Sequence, residues 1–156
     1  MSSPRLMIAW LLTVLGKKLL SVNALFHVFS SERDSAPQEV GLLFENSEIG
    51  KLYGGPDGAS ICFSLNPISS CDLGEYGRQD VFNVSGELYF SDIVGGKLVS
   101  ASLVQSLAED VIIGVAFSFD NGFCLSILNL GDELFVYDEI PEEIVISEGV
   151  SLISVS

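Results

Sequence analysis

The sequence contains few of the residues on which catalytic and metal sites depend. It has one histidine, His27, and three cysteines, Cys62, Cys71 and Cys124, with no short spacing between any two of them. An odd number of widely spaced cysteines fits neither a disulfide framework nor a zinc site, and it favours a reducing compartment. The pattern predicts buried thiols, with a Cys62–Cys124 bridge as the open alternative.

Sequence motifs for the common catalytic and nucleotide-binding sites are also missing. There is no Gly-x-Ser-x-Gly turn, phosphate-binding loop, dinucleotide fingerprint or zinc motif. Nucleophilic catalysis needs a base beside the nucleophile, and His27 lies in or just after an apolar segment. The acidic turns at 57–58, 120–122 and 131–132 do not have the ligand spacing of an EF-hand calcium loop. We therefore predict no catalytic residue, no metal site and no cofactor.

Basic residues are scarce, and they are unevenly distributed. The formal net charge is −14, from 21 acidic and 7 basic residues. Residues 1–51 carry five of each sign, whereas residues 52–156 carry sixteen acidic residues and only two basic ones, Arg78 and Lys97. Such a surface repels phosphates, which predicts no direct binding of nucleic acid. It attracts a basic protein partner, although solubility is the ordinary explanation for an acidic surface.

No apolar run is long enough to span a bilayer, although the N-terminus is rich in apolar residues. The run that starts at Leu6 is interrupted at 16–18, short of the roughly 20 residues that a membrane span needs. We predict an N-terminal apolar helix over residues 1–29, packed on the rest of the chain. Seven apolar residues form its stripe: Ile8, Leu11, Leu12, Leu15, Leu19, Val22 and Phe26. A cleaved signal peptide and a membrane-surface anchor are the alternatives.

The clearest strand pattern flanks the turn at residues 120–122. Apolar residues alternate with small or polar ones over 115–119 and again over 123–127, which is the period of a half-buried strand. A three-residue loop with Gly122 in the left-handed conformation pairs Phe119 with Phe123 and places both apolar sets on one face. A third strand is predicted at 133–137.

The remaining strands are indicated by similar patterns and by turn residues. They are predicted at 40–44, 51–53, 59–65, 80–85, 87–91, 98–104, 144–147 and 150–155. The glycine-rich turn 54–58 makes 51–53 and 59–65 a second hairpin, and 66–79 is expected to be a loop. The sequence predicts an α+β fold, with the N-terminal helix packed on a mostly antiparallel β-sheet or two-sheet β structure. Residues 40–156 form the β-rich domain, in one globular unit with the helix.

Carboxylates are densest between positions 132 and 143, where no basic residue accompanies them. The six acids are Asp132, Glu133, Asp138, Glu139, Glu142 and Glu143. With Phe135 and Tyr137 as aromatic anchors, the segment predicts a docking surface for a cationic protein. Asp72, Glu75 and Tyr76 form a second, glycine-rich acidic patch. The ordinary explanations are solvated loop ends for the first group and a tight turn for the second.

These features together resemble the immunity proteins of bacterial polymorphic toxin systems, including contact-dependent growth inhibition. The resemblance rests on a small, acidic chain without catalytic motifs and on Phe-Asp-Asn-Gly at 119–122 followed by Asn-Leu-Gly-Asp-Glu-Leu-Phe-Val at 129–136. It covers mainly residues 49–139. It implies a cytoplasmic, non-enzymatic protein that binds one cognate basic toxin domain, often a nuclease, and occludes its active site. It transfers no role to an individual residue.

Two other functions stay open. A structural or assembly subunit would self-associate as a homodimer through the leucine-rich residues 6–26. An enzyme that uses a pair of carboxylates or a metal can draw its acids from anywhere in the chain, and no such pair stands out here.

Overall fold

The computed structural model describes residues 3–156, which form two helices and twelve strands. The helices are α1 (Ser3–Val14) and α2 (Glu142–Glu148). The first sheet contains β1 (Leu19–Phe29), β2 (Glu32–Arg33), β3 (Glu39–Phe44), β4 (Gly50–Gly54), β5 (Ile61–Ser64), β6 (Cys71–Asp72) and β7 (Arg78–Asn83). The second contains β8 (Leu98–Ser106), β9 (Val111–Phe119), β10 (Cys124–Leu130), β11 (Glu133–Tyr137) and β12 (Val150–Val155). A 3₁₀ turn at Gly74–Tyr76 precedes β7.

Both sheets are antiparallel and they share one apolar core, which confirms the predicted α+β class. The strand order is β5-β4-β3-β1-β7-β6 in the first sheet, with β2 paired to β1, and β11-β10-β9-β8-β12 in the second. The core contains buried residues from α1 and from both sheets, including Trp10, Phe44, Phe117 and Ile127. Neither sheet buries its apolar face alone, so the two sheets and the helix are packed around the same core.

The sheets are also joined by hydrogen bonds at two places. Near the start of β8, the N–H of Gly16 donates to the Leu98 carbonyl (2.7 Å) and the N–H of Leu98 donates to the Lys17 carbonyl (3.0 Å). Near the start of β11, Asn129 Nδ2 donates to the Ser60 carbonyl at 2.9 Å. These bonds satisfy polar groups where elements of the two sheets meet.

The N-terminal helix is much shorter than the predicted 1–29. It ends at Val14, Gly16 follows with a left-handed φ of 82°, and Leu19–Phe29 forms β1 in the interior of the first sheet. The prediction was wrong because the leucine, valine and phenylalanine residues between 19 and 26 fit a helical stripe and a buried strand equally well. In the structure, β1 pairs with β3 on one side and with β7 on the other, and this pairing selects the strand over the helix.

The same residues do not offer the continuous apolar face that a homodimer through 6–26 requires. Most of the predicted stripe is buried inside the molecule, and the large hydrophobic side chains still exposed in this segment are Leu12 and Leu20. The packing therefore leaves little apolar surface for the self-association that was the alternative for this segment.

Trp10 explains where α1 lies. Its ring contacts those of Phe44 and Phe63, with centroids 5.7 and 5.2 Å apart, and its Nε1 donates to the Glu48 carbonyl at 3.0 Å. A Cβ at Gly50 would lie 2.5 Å from the indole, so only glycine admits this approach. Trp10 therefore anchors α1 on the first sheet.

The two predicted hairpins are confirmed. In β9–β10 the Phe119 N–H donates to the Phe123 carbonyl at 3.0 Å, Phe117 pairs with Leu125, and Gly122 has a φ of 88°. The β4–β5 hairpin closes around the glycine-rich turn, with Leu52 opposite Phe63. Turn chemistry and alternation were sufficient here because both act over a few residues.

Two short predicted strands are wrong. Residues 144–147 lie in α2, which follows Pro141, has Glu142 and Glu143 in its first turn and ends at Gly149 with φ 62°. Carboxylates in the first turn and a left-handed glycine after the last are helix signals. β12 consequently pairs with β8 rather than with 144–147. Residues 87–91 form turns instead of a strand.

Candidate protein-binding surface

β11 lies at one edge of the second sheet and carries the aromatic residues of the predicted surface. It pairs with β10, placing Phe135 opposite Leu128 and Tyr137 opposite Ser126. Alternate side chains of a strand point to opposite faces, so Phe135 and Tyr137 share the outer face. Their rings are nearly parallel, at 9°, with centroids 6.3 Å apart. Phe135 is 36% exposed, which leaves an aromatic pair at the surface.

The six carboxylates predicted as one cluster are divided between the two ends of β11. Asp132 and Glu133 lie at its start, and the other four lie between Asp138 and Glu143 beyond its end. All six are exposed. A strand rises about 3.4 Å per residue, so Asp132 and Asp138 are roughly 20 Å apart. We call these six residues with Phe135 and Tyr137 the β11 surface.

The carboxylates of the β11 surface have no basic partner. Within residues 3–156, every ion pair involves other acidic residues. Burial raises the pKa of the Tyr137 hydroxyl, and the nearby Glu143 carboxylate and Tyr89 raise it further. The Tyr137 hydroxyl therefore stays protonated at neutral pH and can donate a hydrogen bond beside Glu143.

Helix α2 is held against the outer face of the second sheet by a small apolar cluster. Val104, Ile113 and Leu128 are fully buried there, and Tyr137 and Ile144 pack against them. This contact positions Glu142 and Glu143, in the first turn of α2, next to the end of β11. An open groove of about 440 Å³ lies beside them, with Asp138 and Glu139 among its walls.

Two further residues near β11 were not predicted from the sequence. Asp34 lines a groove of about 320 Å³ together with Asp132 and Glu133, and Tyr89 lies close enough to Tyr137 to affect its pKa. Asp34 is almost 100 residues away from Asp132 in the chain. No local pattern joins residues at such a separation, so only the packing of the two sheets reveals the proximity.

Arg33 lies near the same edge, but its charge is already neutralised. Its guanidinium donates two hydrogen bonds to the Glu87 carboxylate (2.8 and 3.1 Å) and stacks 4.0 Å from the Phe26 ring centroid. The hydrogen bonds raise the pKa of Arg33 and lower the pKa of Glu87. The pair therefore tethers β2 to the segment that follows β7 and leaves the β11 carboxylates unpaired.

The second predicted patch lies elsewhere. Asp72, Glu75 and Tyr76 belong to β6 and the 3₁₀ turn at an edge of the first sheet. Asp72 accepts the Gly74 N–H at 2.8 Å and lies 3.7 Å from Arg78 Nη1. The patch is a turn with a local ion pair, and the structure does not bring it together with the β11 surface.

The few groups capable of nucleophilic chemistry are dispersed. His27 Nε2 donates to the Tyr76 carbonyl at 2.7 Å and Nδ1 lies 3.6 Å from Asp34, with no hydroxyl or thiol among these contacts. The three thiols are free, so the Cys62–Cys124 alternative does not hold. The predicted burial of the thiols is wrong, because Cys71 is exposed and Cys62 and Cys124 are only half-buried. Within residues 3–156, no three His, Cys, Asp or Glu side chains are grouped to hold a metal.

The helices of the described chain do not reach the length and apolarity of a membrane span. Comparison with family models, curated proteins and solved structures finds no significant match. The functional argument therefore rests on the β11 surface and its charges.

Proposed function

We propose that this protein binds and neutralises a cation-rich toxin domain, as immunity proteins of polymorphic toxin systems do, and that the β11 surface covers the toxin's active site. One observation supports this most directly. Two groups of exposed, unpaired carboxylates flank a stacked aromatic pair on one edge strand, in which Phe135 is exposed and Tyr137 is half-buried. Aromatic anchors surrounded by charge are typical of specific interfaces.

The charges serve two steps in this proposal. Before contact, the excess of carboxylates attracts a cationic partner over long range and raises the association rate by roughly 10- to 1000-fold at low ionic strength. After contact, lysines and arginines that would hold nucleic-acid phosphates bind the β11 carboxylates instead. Phe135 and Tyr137 then supply apolar contact and specificity, because charge alone discriminates poorly between cationic partners.

The proposed setting is the cytoplasm, where a cognate toxin would act. The three free thiols support this setting, since a reducing compartment keeps such thiols unpaired. The proposal assigns no bond-making chemistry to the protein, and the inhibited toxin supplies the measurable activity.

The decisive experiment measures binding to the purified product of the adjacent upstream gene by titration calorimetry at several salt concentrations. One variant removes four charges from the β11 surface through Asp138→Asn, Glu139→Gln, Glu142→Gln and Glu143→Gln. Its matched control removes the same charge from exposed carboxylates without an ion pair in residues 1–97, through Glu32→Gln, Glu48→Gln, Glu75→Gln and Asp92→Asn. We expect the first variant to lose at least about tenfold in affinity and part of the salt dependence, with little change in the control.

A second substitution separates specificity from charge. Phe135→Ala keeps every carboxylate and removes an aromatic anchor. We therefore expect the binding free energy to weaken by about 2 kcal/mol while the salt dependence of the affinity stays unchanged. Absence of binding by the wild type at low salt contradicts the proposal. Equal losses in the β11 variant and its control also contradict it, because then only the net charge matters.

A further inference from the structure

The two sheets end in four edge strands, and three of these are short or covered. At β5, Ser3 Oγ accepts the Phe63 N–H at 2.6 Å and donates to the Phe63 carbonyl at 3.3 Å, so α1 occupies that edge. β6 has only two residues. β11 borders a cleft whose other walls are formed by residues 33–37 and 87–90, so these two segments flank that edge. Natural sheets protect their edges in these ways because an open edge invites pairing.

β12 has none of these protections. Its four central residues, 151–154, are all exposed. Ile153 pairs with Leu103 on the core side of the sheet and Leu152 pairs with Val104 on the outer side, yet their side chains are 44% and 58% exposed. The segment 150–155 contains no charge, proline or glycine. Within the described chain it is paired with β8 alone, so one row of its backbone groups is unpaired.

We propose that β12 pairs antiparallel with β12 of a second copy of this chain, about a two-fold axis that joins the two second sheets into one continuous sheet. An antiparallel pair of identical strands is self-complementary, because each strand offers the same donors and acceptors to the other. Leu152 and Ile153 then become buried against the partner copy on both faces of the joined sheet.

The charges around β12 favour a second copy as the occupant. In a chain of net charge −14, most of the surface repels another copy, and the uncharged segment 150–155 is a place where two copies meet without that repulsion. The same segment offers no carboxylate to a cationic partner. Apolar surface also continues from Leu152 to Val145 of α2 along one wall of the groove of about 440 Å³, which has Asp138 and Glu139 elsewhere among its walls.

The charges at the two ends of β12 select the antiparallel orientation. Glu148, Glu109 and Asp110 lie near its start, where Ser106 Oγ donates to Glu148 Oε1 at 3.0 Å and accepts the Glu109 N–H at 3.0 Å. Lys97 and its bridge partner Lys18 lie beyond the other end. There Asp120 and Glu45 each accept a lysine backbone N–H, so that end is balanced rather than acidic.

In an antiparallel pair, the acidic start of each β12 lies beside the balanced end of the other β12. The acidic starts of the two copies are then about 17 Å apart along the strand. A parallel pair would bring the acidic ends together. The pairing leaves β11 itself free, since β11 and β12 form opposite edges of the second sheet, although Asp138 and Glu139 line the same groove as Leu152. The inference therefore stands independently of the proposed function.

Sedimentation velocity over a wide range of protein concentration tests this pairing. We expect a monomer–dimer equilibrium that shifts toward the dimer as salt is added, because salt screens the repulsion between two acidic copies. Binding of a cationic partner has the opposite salt dependence, so the two associations can be told apart.

A double variant, Leu152→Glu with Ile153→Glu, should raise the dimer dissociation constant about a hundredfold or more, because it places unpaired charges in the contact. The control, Leu20→Glu with Leu88→Glu, adds the same charge at exposed apolar positions outside β12 and should dimerise nearly as the wild type does. Thermal melts confirm that both variants fold.

Hydrogen–deuterium exchange of the wild type supplies a test without substitutions. Amides of residues 150–155 should exchange more slowly as the dimer forms, and those of β11 should not change. A wild type that stays monomeric at every concentration and salt overturns the inference. So does a dimer that survives the β12 variant, or concentration-dependent protection located away from β12.

Discussion

Residues 1–97 and residues 98–156 share one core but differ in how far their charged side chains are paired. Residues 1–97, with α1 and the first sheet, carry seven basic and eleven acidic residues, whereas residues 98–156 carry ten acidic residues and no basic one. The four ion pairs formed by arginine and lysine in the described chain, and the contact between His27 and Asp34, all lie in the first part. The net charge is thus −4 in the first part and −10 in the second, which together make the −14 of the chain.

This difference shows that ion pairs do not hold the second part together. Exposed ion pairs contribute up to about 1 kcal/mol each, and unpaired like charges oppose folding slightly. The second sheet is instead stabilised by burial, with Ile113, Val115, Phe117, Leu125 and Ile127 all essentially inaccessible to solvent. Its charges are therefore free to serve a partner, which is what the proposed function requires.

The largest expected effect tests whether the two parts form one cooperative unit. Trp10→Ala removes the indole that packs on Phe44 and Phe63, and should lower the free energy of unfolding by about 3–5 kcal/mol. We expect a single transition by far-UV circular dichroism, since both sheets share the core. Leu12→Ala, on the exposed side of the same helix, is the control and should have a small effect. Two separate transitions would show that the parts fold independently.

A smaller change in the free energy of unfolding is expected when an ion pair of the first part is broken. Glu87→Gln removes the carboxylate that holds Arg33 and should lower the free energy of unfolding by about 0.5–1 kcal/mol at neutral pH. Glu32→Gln, next to Arg33 but without an ion pair, is the matched control and should change little. Urea titrations at several pH values provide the measurement.

The pH dependence of this effect follows from the lowered pKa of Glu87. A carboxyl whose folded pKa is depressed contributes stability above its unfolded pKa, and that stability is lost as the pH falls through the folded pKa. Wild type and Glu87→Gln should therefore differ at neutral pH and converge in acid. A difference that persists in acid would assign the effect to lost packing instead of charge.

The smallest effect tests the unpaired charges of the second part. Glu133→Gln with Glu139→Gln should leave stability unchanged or raise it by up to about 0.5 kcal/mol, because like charges are removed and no partner is lost. The gain should be larger at low salt than at high salt in urea titrations. A loss of more than about 1 kcal/mol would mean that these carboxylates support the fold, and would remove the contrast between the two parts.

Local patterns predicted the parts of the fold that depend on neighbouring residues. The β9–β10 hairpin followed from alternation and from Gly122, and the strand at 150–155 followed from its apolar pattern. The helix at 144–147 was missed although Pro141, the two glutamates after it and Gly149 all mark its ends. The β11 surface was identified as a segment, but its division into two groups was not.

Charge segregation, the two hairpins and the absence of catalytic motifs were determined by the amino-acid sequence alone, because composition and turn chemistry are local properties. Tertiary structure decided that residues 19–29 form an interior strand, that Asp34 and Asp132 line the same groove, and that β12 is the uncovered edge. Each of these depends on which segments pack side by side. That choice is made by burial and strand pairing between residues far apart in the chain, and neither leaves a signal in a single segment.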